Sequence, residues 1–176
     1  MKILSILSVL KLCVFLAFTE VVTAEPQLPD TIVLHIELRG DDSLEHMRAH
    51  DQVMMKKTAE YLRQQLNQKT SLRVLSDEKS IAAISKAESI FNLQQCNGCE
   101  LELARQLETR FVVVPWLFRM SILVQTMYIE VRDAEQDKVI THIGRNFRGN
   151  TDDAWQHAVD SLIRDLSLQY SPAEAL

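Results

Sequence analysis

The sequence predicts an α/β (α+β) chain: one mixed β-sheet with helices packed on one face, in the order β-α-β-α-α-β-β-β-α. Three observations carry this. Residues 31–38 alternate apolar and polar side chains at the period of a strand. Phe111-Val112-Val113-Val114 is a continuous apolar run, the mark of a strand covered on both faces. Trp155, Ala158, Val159, Leu162, Ile163 and Leu166 form one helical stripe.

In the first strand Ile32, Leu34, Ile36 and Leu38 share the buried face, and Gly40-Asp41-Asp42 ends it. Residues 46–67 contain no helix breaker. Val53, Met54, Thr58, Tyr61, Leu62, Gln65 and Leu66 face the core there, with Lys56, Lys57, Arg63 and Gln64 outside. Leu72-Arg73-Val74-Leu75 is a short strand, parallel to the first through a right-handed crossover. Ser76 or Asp77 caps a helix that buries Ile81 and Ile84. Residues 89–95 are irregular, and helical spacing resumes over 100–108 through Leu103, Ala104 and Leu107. After the 111–114 run, Leu123, Met127, Ile129 and Val131 alternate along a strand. Arg132-Asp133 starts a short turn into residues 139–147, hence an antiparallel hairpin. The last helix opens at Gly149-Asn150-Thr151-Asp152-Asp153. Asn150 or Thr151 can cap it, and the two aspartates suit its positive end.

The first residues differ from the rest. Lys2 precedes an almost wholly apolar stretch over 3–18, and Val22-Thr23-Ala24 offers a cleavage site, the arrangement of a secretory signal spanning 1–24. Lys11 and Thr19-Glu20 break the run short of the ~20 apolar residues a membrane span needs. The expected product is one exported domain, 25–176, with no membrane span after cleavage. Losing Lys2, Lys11 and Glu20 leaves 152 residues with 17 basic and 23 acidic side chains, a formal charge of −6. That balance argues against nucleic acid or anionic lipid as partner.

Two stretches stand out for chemistry. Cys96-Asn97-Gly98-Cys99 allows a small-loop disulfide, a redox pair or half a metal site. A full zinc site needs two more ligands that no second cysteine pair supplies, and Glu100 in place of histidine rules against haem attachment. A redox role wants Cys96 at a helix N-terminus, where the dipole lowers a thiol pKa; export favours a structural disulfide. The second stretch, Arg148 to Trp155, sets Arg148, Asn150, Asp152 and Asp153 beside the bare backbone of Gly149. It can contact a partner or ligand, or simply cap the helix with Trp155 in the core. His46 and His50 stand one helical turn apart without a specified third ligand, so no metal site is assigned. His35 and Glu37 belong at a sheet surface. No phosphate loop, nucleophile elbow or zinc-protease motif is present, and no catalytic residue or cofactor is assigned.

The pattern Ile32-Val33-Leu34 with Glu37, a helix, Arg73-Val74-Leu75, Phe111-Val112-Val113 and a hairpin at Arg132-Asp133 resembles an exported α/β domain. That domain occurs at the N-terminus of Tol-Pal translocation protein B, in the curli secretion lipoprotein group and in periplasmic activators of penicillin-binding proteins. The resemblance implies the fold. Cys96-Asn97-Gly98-Cys99-Glu100 and Arg148-Gly149-Asn150-Thr151-Asp152-Asp153-Ala154-Trp155 also resemble the two motifs of an uncharacterised bacterial family of small exported proteins. Its members are often encoded near quinoprotein alcohol-oxidation genes, which implies a periplasmic accessory role. The expectation is therefore a periplasmic accessory or binding protein, without catalysis of its own, that engages another envelope protein through its sheet surface or helix ends. The alternative is a thiol-disulfide redox protein using Cys96 and Cys99.

Overall fold

The apolar run at 111–114 becomes part of the central strand of a single sheet. The computed structural model describes residues 30–41 and 45–170; the expected signal segment, 1–24, lies outside them. In chain order the elements are β1 (Asp30–Val33), β2 (Glu37–Gly40), a 3-10 turn (Glu45–Met47), α1 (Arg48–Lys69), β3 (Arg73–Val74) and α2 (Glu78–Ile90). They continue with α3 (Cys99–Gln106), β4 (Phe111–Ser121), β5 (Val124–Asp133), β6 (Lys138–Phe147) and α4 (Asp152–Gln169). The six strands form one mixed sheet ordered β3-β1-β4-β5-β6, with β2 also on β4. β1 lies parallel to β3 and β4, and β2 parallel to β4. β4-β5 and β5-β6 are antiparallel. Among the described residues no helix is long and apolar enough to cross a membrane.

The single mixed sheet and its four helices are as expected, but the helices do not share one face. α1 and α4 pack on one side against Val33, Val113, Leu117, Met127, Ile129 and Val131. Ile84 of α2 and Leu101, Leu103 and Ala104 of α3 pack with Ile32, Leu34, Val112 and Val114 on the other. The cause is β4 itself: neighbouring valines point to opposite faces, so an unbroken apolar run requires cover on both.

The first strand also departs from simple alternation. Val33 pairs with Val113 and Glu37 with Trp116, so the β1–β2 chain advances one residue more than β4 over this interval. That extra residue inverts the faces: Ile32 and Leu34 join the α2/α3 side, whereas Ile36 and Leu38 turn to the α1/α4 side. The break lies beside Pro115 of β4, which has no N–H to give to a ladder. Side chains complete the backbone instead. Gln94 Nε2 donates to the carbonyls of His35 at 2.6 Å and Pro115 at 3.1 Å, and the His35 N–H donates to Glu88 Oε1 at 3.0 Å.

β4 runs well past the expected strand and makes a second hairpin with β5. The α4 stripe is buried at all six expected positions. In α1 the assignment is less regular: Val53 is exposed, whereas Asp51 and Arg63 are buried. The last two are polar groups whose burial depends on partners far along the chain.

Candidate functional site

Cys96 and Cys99 are joined by a disulfide with Cα atoms 5.8 Å apart, a separation that suits the bond. Gly98, at φ +98°, stands at the N-cap of α3, a left-handed position that a side chain would strain. Cys99, not Cys96, is therefore the first helical residue. Both cysteines are half-buried against the α2/α3 cluster. Cys96 Sγ lies 3.8 Å from Glu100 Oε2, and buried Glu100 accepts from Arg132 Nη1 at 2.5 Å. Arg132 also donates to Glu130 at 2.6 Å, and Glu130 bonds His142 at 2.9 Å. Glu100, beside the clasp, thus begins a polar chain across the sheet.

Burial alone would raise the Glu130 carboxyl, but the hydrogen bonds from Arg132 and His142 outweigh it and lower the pKa. Burial likewise opposes ionisation of Asp133, and Arg110 with the Glu135 and Gln136 amides overcomes it. A depressed carboxylate stabilises the fold above its unfolded pKa, about 4 for these types, and that contribution disappears as pH falls through the lower folded value. We expect the urea midpoint to fall on acidification below about pH 4. Asp133→Asn should lower stability at neutral pH and flatten the acid dependence. A midpoint that rises on acidification would contradict this assignment.

Beyond α2 and α3 the sheet face is open on β5 and β6. Trp116, Tyr128 and Gly144 occupy adjacent positions on β4, β5 and β6. The two rings stack with centroids 5.1 Å apart, and the Arg39 guanidinium lies 4.7 Å over Trp116. Arg39 and Tyr128 both lie against Trp116, which is buried, so this row is not a platform for a planar ligand. Along β4 the face turns apolar. Phe118 is 40% exposed and Met120 68% near the end of β4, and Ile122 36%, Leu123 66% and Val124 43% follow through the turn into β5. A cluster of that kind, unlike scattered apolar residues, marks an interaction surface.

The same end is braced from beneath. Arg119 makes a bidentate pair with Asp51 of α1 at 2.6 and 2.7 Å, with both side chains buried. Gln125 Nε2 donates to the carbonyls of Ile122 at 3.2 Å and Gly149 at 2.9 Å, tying the hairpin to the start of α4.

The sequence model of DUF3280, described as protein of unknown function (DUF2380), matches residues 29–166. The chain belongs to the DUF3280 family. No curated protein matches it by sequence. The LpoB C-terminal domain from Salmonella enterica is similar in structure at TM-score 0.52 and 12% identity, covering 68% of this chain and 82% of that one. The lipoprotein GNA1162 from Neisseria meningitidis has TM-score 0.49 and 10% identity, over 80% and 95% of the two chains. TolB from Acinetobacter baumannii has TM-score 0.45 and 11% identity, over 80% and 29%. The LpoB likeness agrees with the fold that the sequence pattern implied.

In this DUF3280 chain the Arg148–Trp155 stretch divides its roles. Thr151 caps α4 by accepting from the Ala154 N–H at 3.3 Å. Asn150 accepts from the Trp155 indole at 3.0 Å, and Trp155 is fully buried. Asp152 pairs with Lys57 at 2.9 Å. Arg148 and Asp153 face solvent. His46 and His50 are both exposed, with His50 Nε2 3.4 Å from the Asn150 carbonyl. Among the described residues no three His, Cys, Asp or Glu side chains converge as metal ligands.

Two features escaped the sequence reading. Arg63, expected outside the core stripe, is buried and donates to the Val33 carbonyl at 3.1 Å. Burial depresses its pKa, and it borders a cleft of about 500 Å³ with Asn67 and Ser76. The apolar β4–β5 turn is the other. Met120, Ile122, Leu123 and Val124 form an almost unbroken apolar segment in the sequence, yet nothing local says whether it is covered.

Proposed function

We propose that this protein is an exported accessory protein that binds another envelope protein through the β4–β5 turn and has no catalysis of its own. The observation that carries the reading is the contiguous exposed apolar group Phe118, Met120, Ile122, Leu123 and Val124 on a buttressed hairpin. An apolar projection braced by these contacts suits recognition, since bracing reduces the ordering entropy lost on docking. The formal charge of −5 disfavours an anionic lipid surface as the occupant. The signal-like segment at 1–24 supports export. Resemblance to exported proteins encoded near quinoprotein alcohol-oxidation genes makes that system the first place to seek the partner.

The test is a photo-crosslinker placed at Leu123 in cells, followed by reconstitution of the captured protein with purified wild type. Met120→Asp with Leu123→Asp should weaken that complex by at least about tenfold, the loss expected when a docking centre is made polar. Circular dichroism should remain unchanged. Equal affinity in the variant, or crosslinks confined to a second copy or to lipid, would reject the reading. Cys96→Ser with Cys99→Ser separates it from thiol-disulfide exchange: binding persists if the clasp only shapes the loop, and loss of an otherwise intact complex would favour the redox alternative.

A further inference from the structure

β6 ends the sheet. Among the described residues it pairs with β5 alone, so its other edge has no partner strand over ten residues; of its backbone groups the mid-strand Gly144 carbonyl accepts from Arg145 Nη1 at 2.9 Å. An edge of that length is a template for another strand. Its chemistry is one-sided. Residues 138–148 carry Lys138, His142, Arg145 and Arg148 and no acidic residue, in a chain whose net charge is −5. Arg145 pairs with Asp165 of α4 and His142 with Glu130. Lys138 and Arg148 have no ion pair among the described residues, and both are exposed. At the middle of the strand, a Cβ on Gly144 would come within 2.6 Å of the Tyr128 ring. The ring covers the glycine and leaves no side chain standing there.

We infer that the open edge of β6 takes an extended, acidic segment of the partner protein as an added strand, with main-chain hydrogen bonds supplying affinity and Lys138 and Arg148 selecting charge. Charge on an edge strand also guards against aggregation, but a guard works with either sign or both. Here the single sign decides between occupants. Antiparallel pairing of two copies about Ile143 would set Lys138 of one opposite Arg148 of the other, and like charges facing across strands are destabilising. An acidic strand meets the opposite condition. β6 ends at Phe147, one strand away from the start of β5, so the edge adjoins the apolar turn and extends the same surface.

The inference rests on the partner-binding reading above. The probe is an end-blocked, fluorescently labelled twelve-residue peptide alternating Thr and Glu, long enough to reach both Lys138 and Arg148, compared with its Thr/Lys counterpart against the full chain. Two new charge pairs should favour the acidic peptide by about fivefold, less at high salt, and hydrogen exchange should slow at β6 amides. Lys138→Glu with Arg148→Glu should reverse the preference, an outcome that mere destabilisation would not produce. Equal binding of both peptides, protection away from β6, or an unchanged preference in the double variant would overturn the inference. So would concentration-dependent protection of β6 without peptide, which would assign the edge to a second copy. If the peptide fails while Met120→Asp with Leu123→Asp still loses the partner, the edge assignment falls and the partner reading stands. Failure of both removes both.

Discussion

Asp51→Ala should destabilise the protein by about 3–5 kcal/mol, because it leaves the Arg119 guanidinium buried without its counter-charge. Both side chains are almost fully excluded from solvent, and each carboxylate oxygen takes one guanidinium N–H. Arg119→Ala should cost a similar amount for the reciprocal reason. The comparison that matters is the pair: Asp51→Leu with Arg119→Met removes both charges and should recover most of the loss, since apolar replacements of buried ion pairs are often neutral. Urea titration of the four proteins gives the coupling directly. If either single variant loses less than about 1 kcal/mol, the pair is open to water and does not anchor the hairpin. The pair joins the first turn of α1 to the last part of β4, so its loss should also loosen the apolar turn and reduce partner affinity.

Trp155→Ala should cost about 3–5 kcal/mol, the range for truncating a large buried aromatic. Its indole is fully buried, meets the edge of Phe147 with centroids 6.2 Å apart and donates to Asn150. Trp155→Phe separates packing from hydrogen bonding. It keeps most of the ring and should lose less, chiefly through the unpaired Asn150 carbonyl oxygen, at about 1–3 kcal/mol. A Trp155→Ala protein as stable as wild type would mean that the core closes over the gap. The position has a functional consequence as well. Asn150 adjoins Gly149, whose carbonyl holds Gln125, so a displaced Trp155 would release the hairpin from the start of α4.

The α4 stripe was legible because 18 consecutive helical residues present one apolar face, and a helix repeats that face whatever it packs against. The β5–β6 hairpin was legible because Met127, Ile129 and Val131 alternate and the connection is short. The division of helices between faces was already implied by the run at 111–114, which cannot be satisfied by one layer. Pro115 was the available signal for the break opposite β4, since proline leaves a gap in a central ladder. The inversion of Ile36 and Leu38 was not readable, because it needs the register between β2 and β4. Nor could Asp51 and Arg119 be joined, or Arg63 placed inside: helix periodicity ranks charged residues outward, and only a partner distant in sequence reverses that ranking.

The candidate site divides the same way. Sequence alone determined that Cys96 and Cys99 could close a local clasp and that the 149–153 stretch would start a helix, since both are set by neighbours within a few residues. The tertiary structure decided that half-buried Asn150 holds the indole of Trp155, while Arg148 faces solvent beside a free strand edge. It also decided that the segment around Leu123 is uncovered. Local sequence governs backbone propensity and capping, which are short-range. Whether an apolar turn or a strand edge is covered depends on which other elements reach it, and that is settled only when the sheet is assembled.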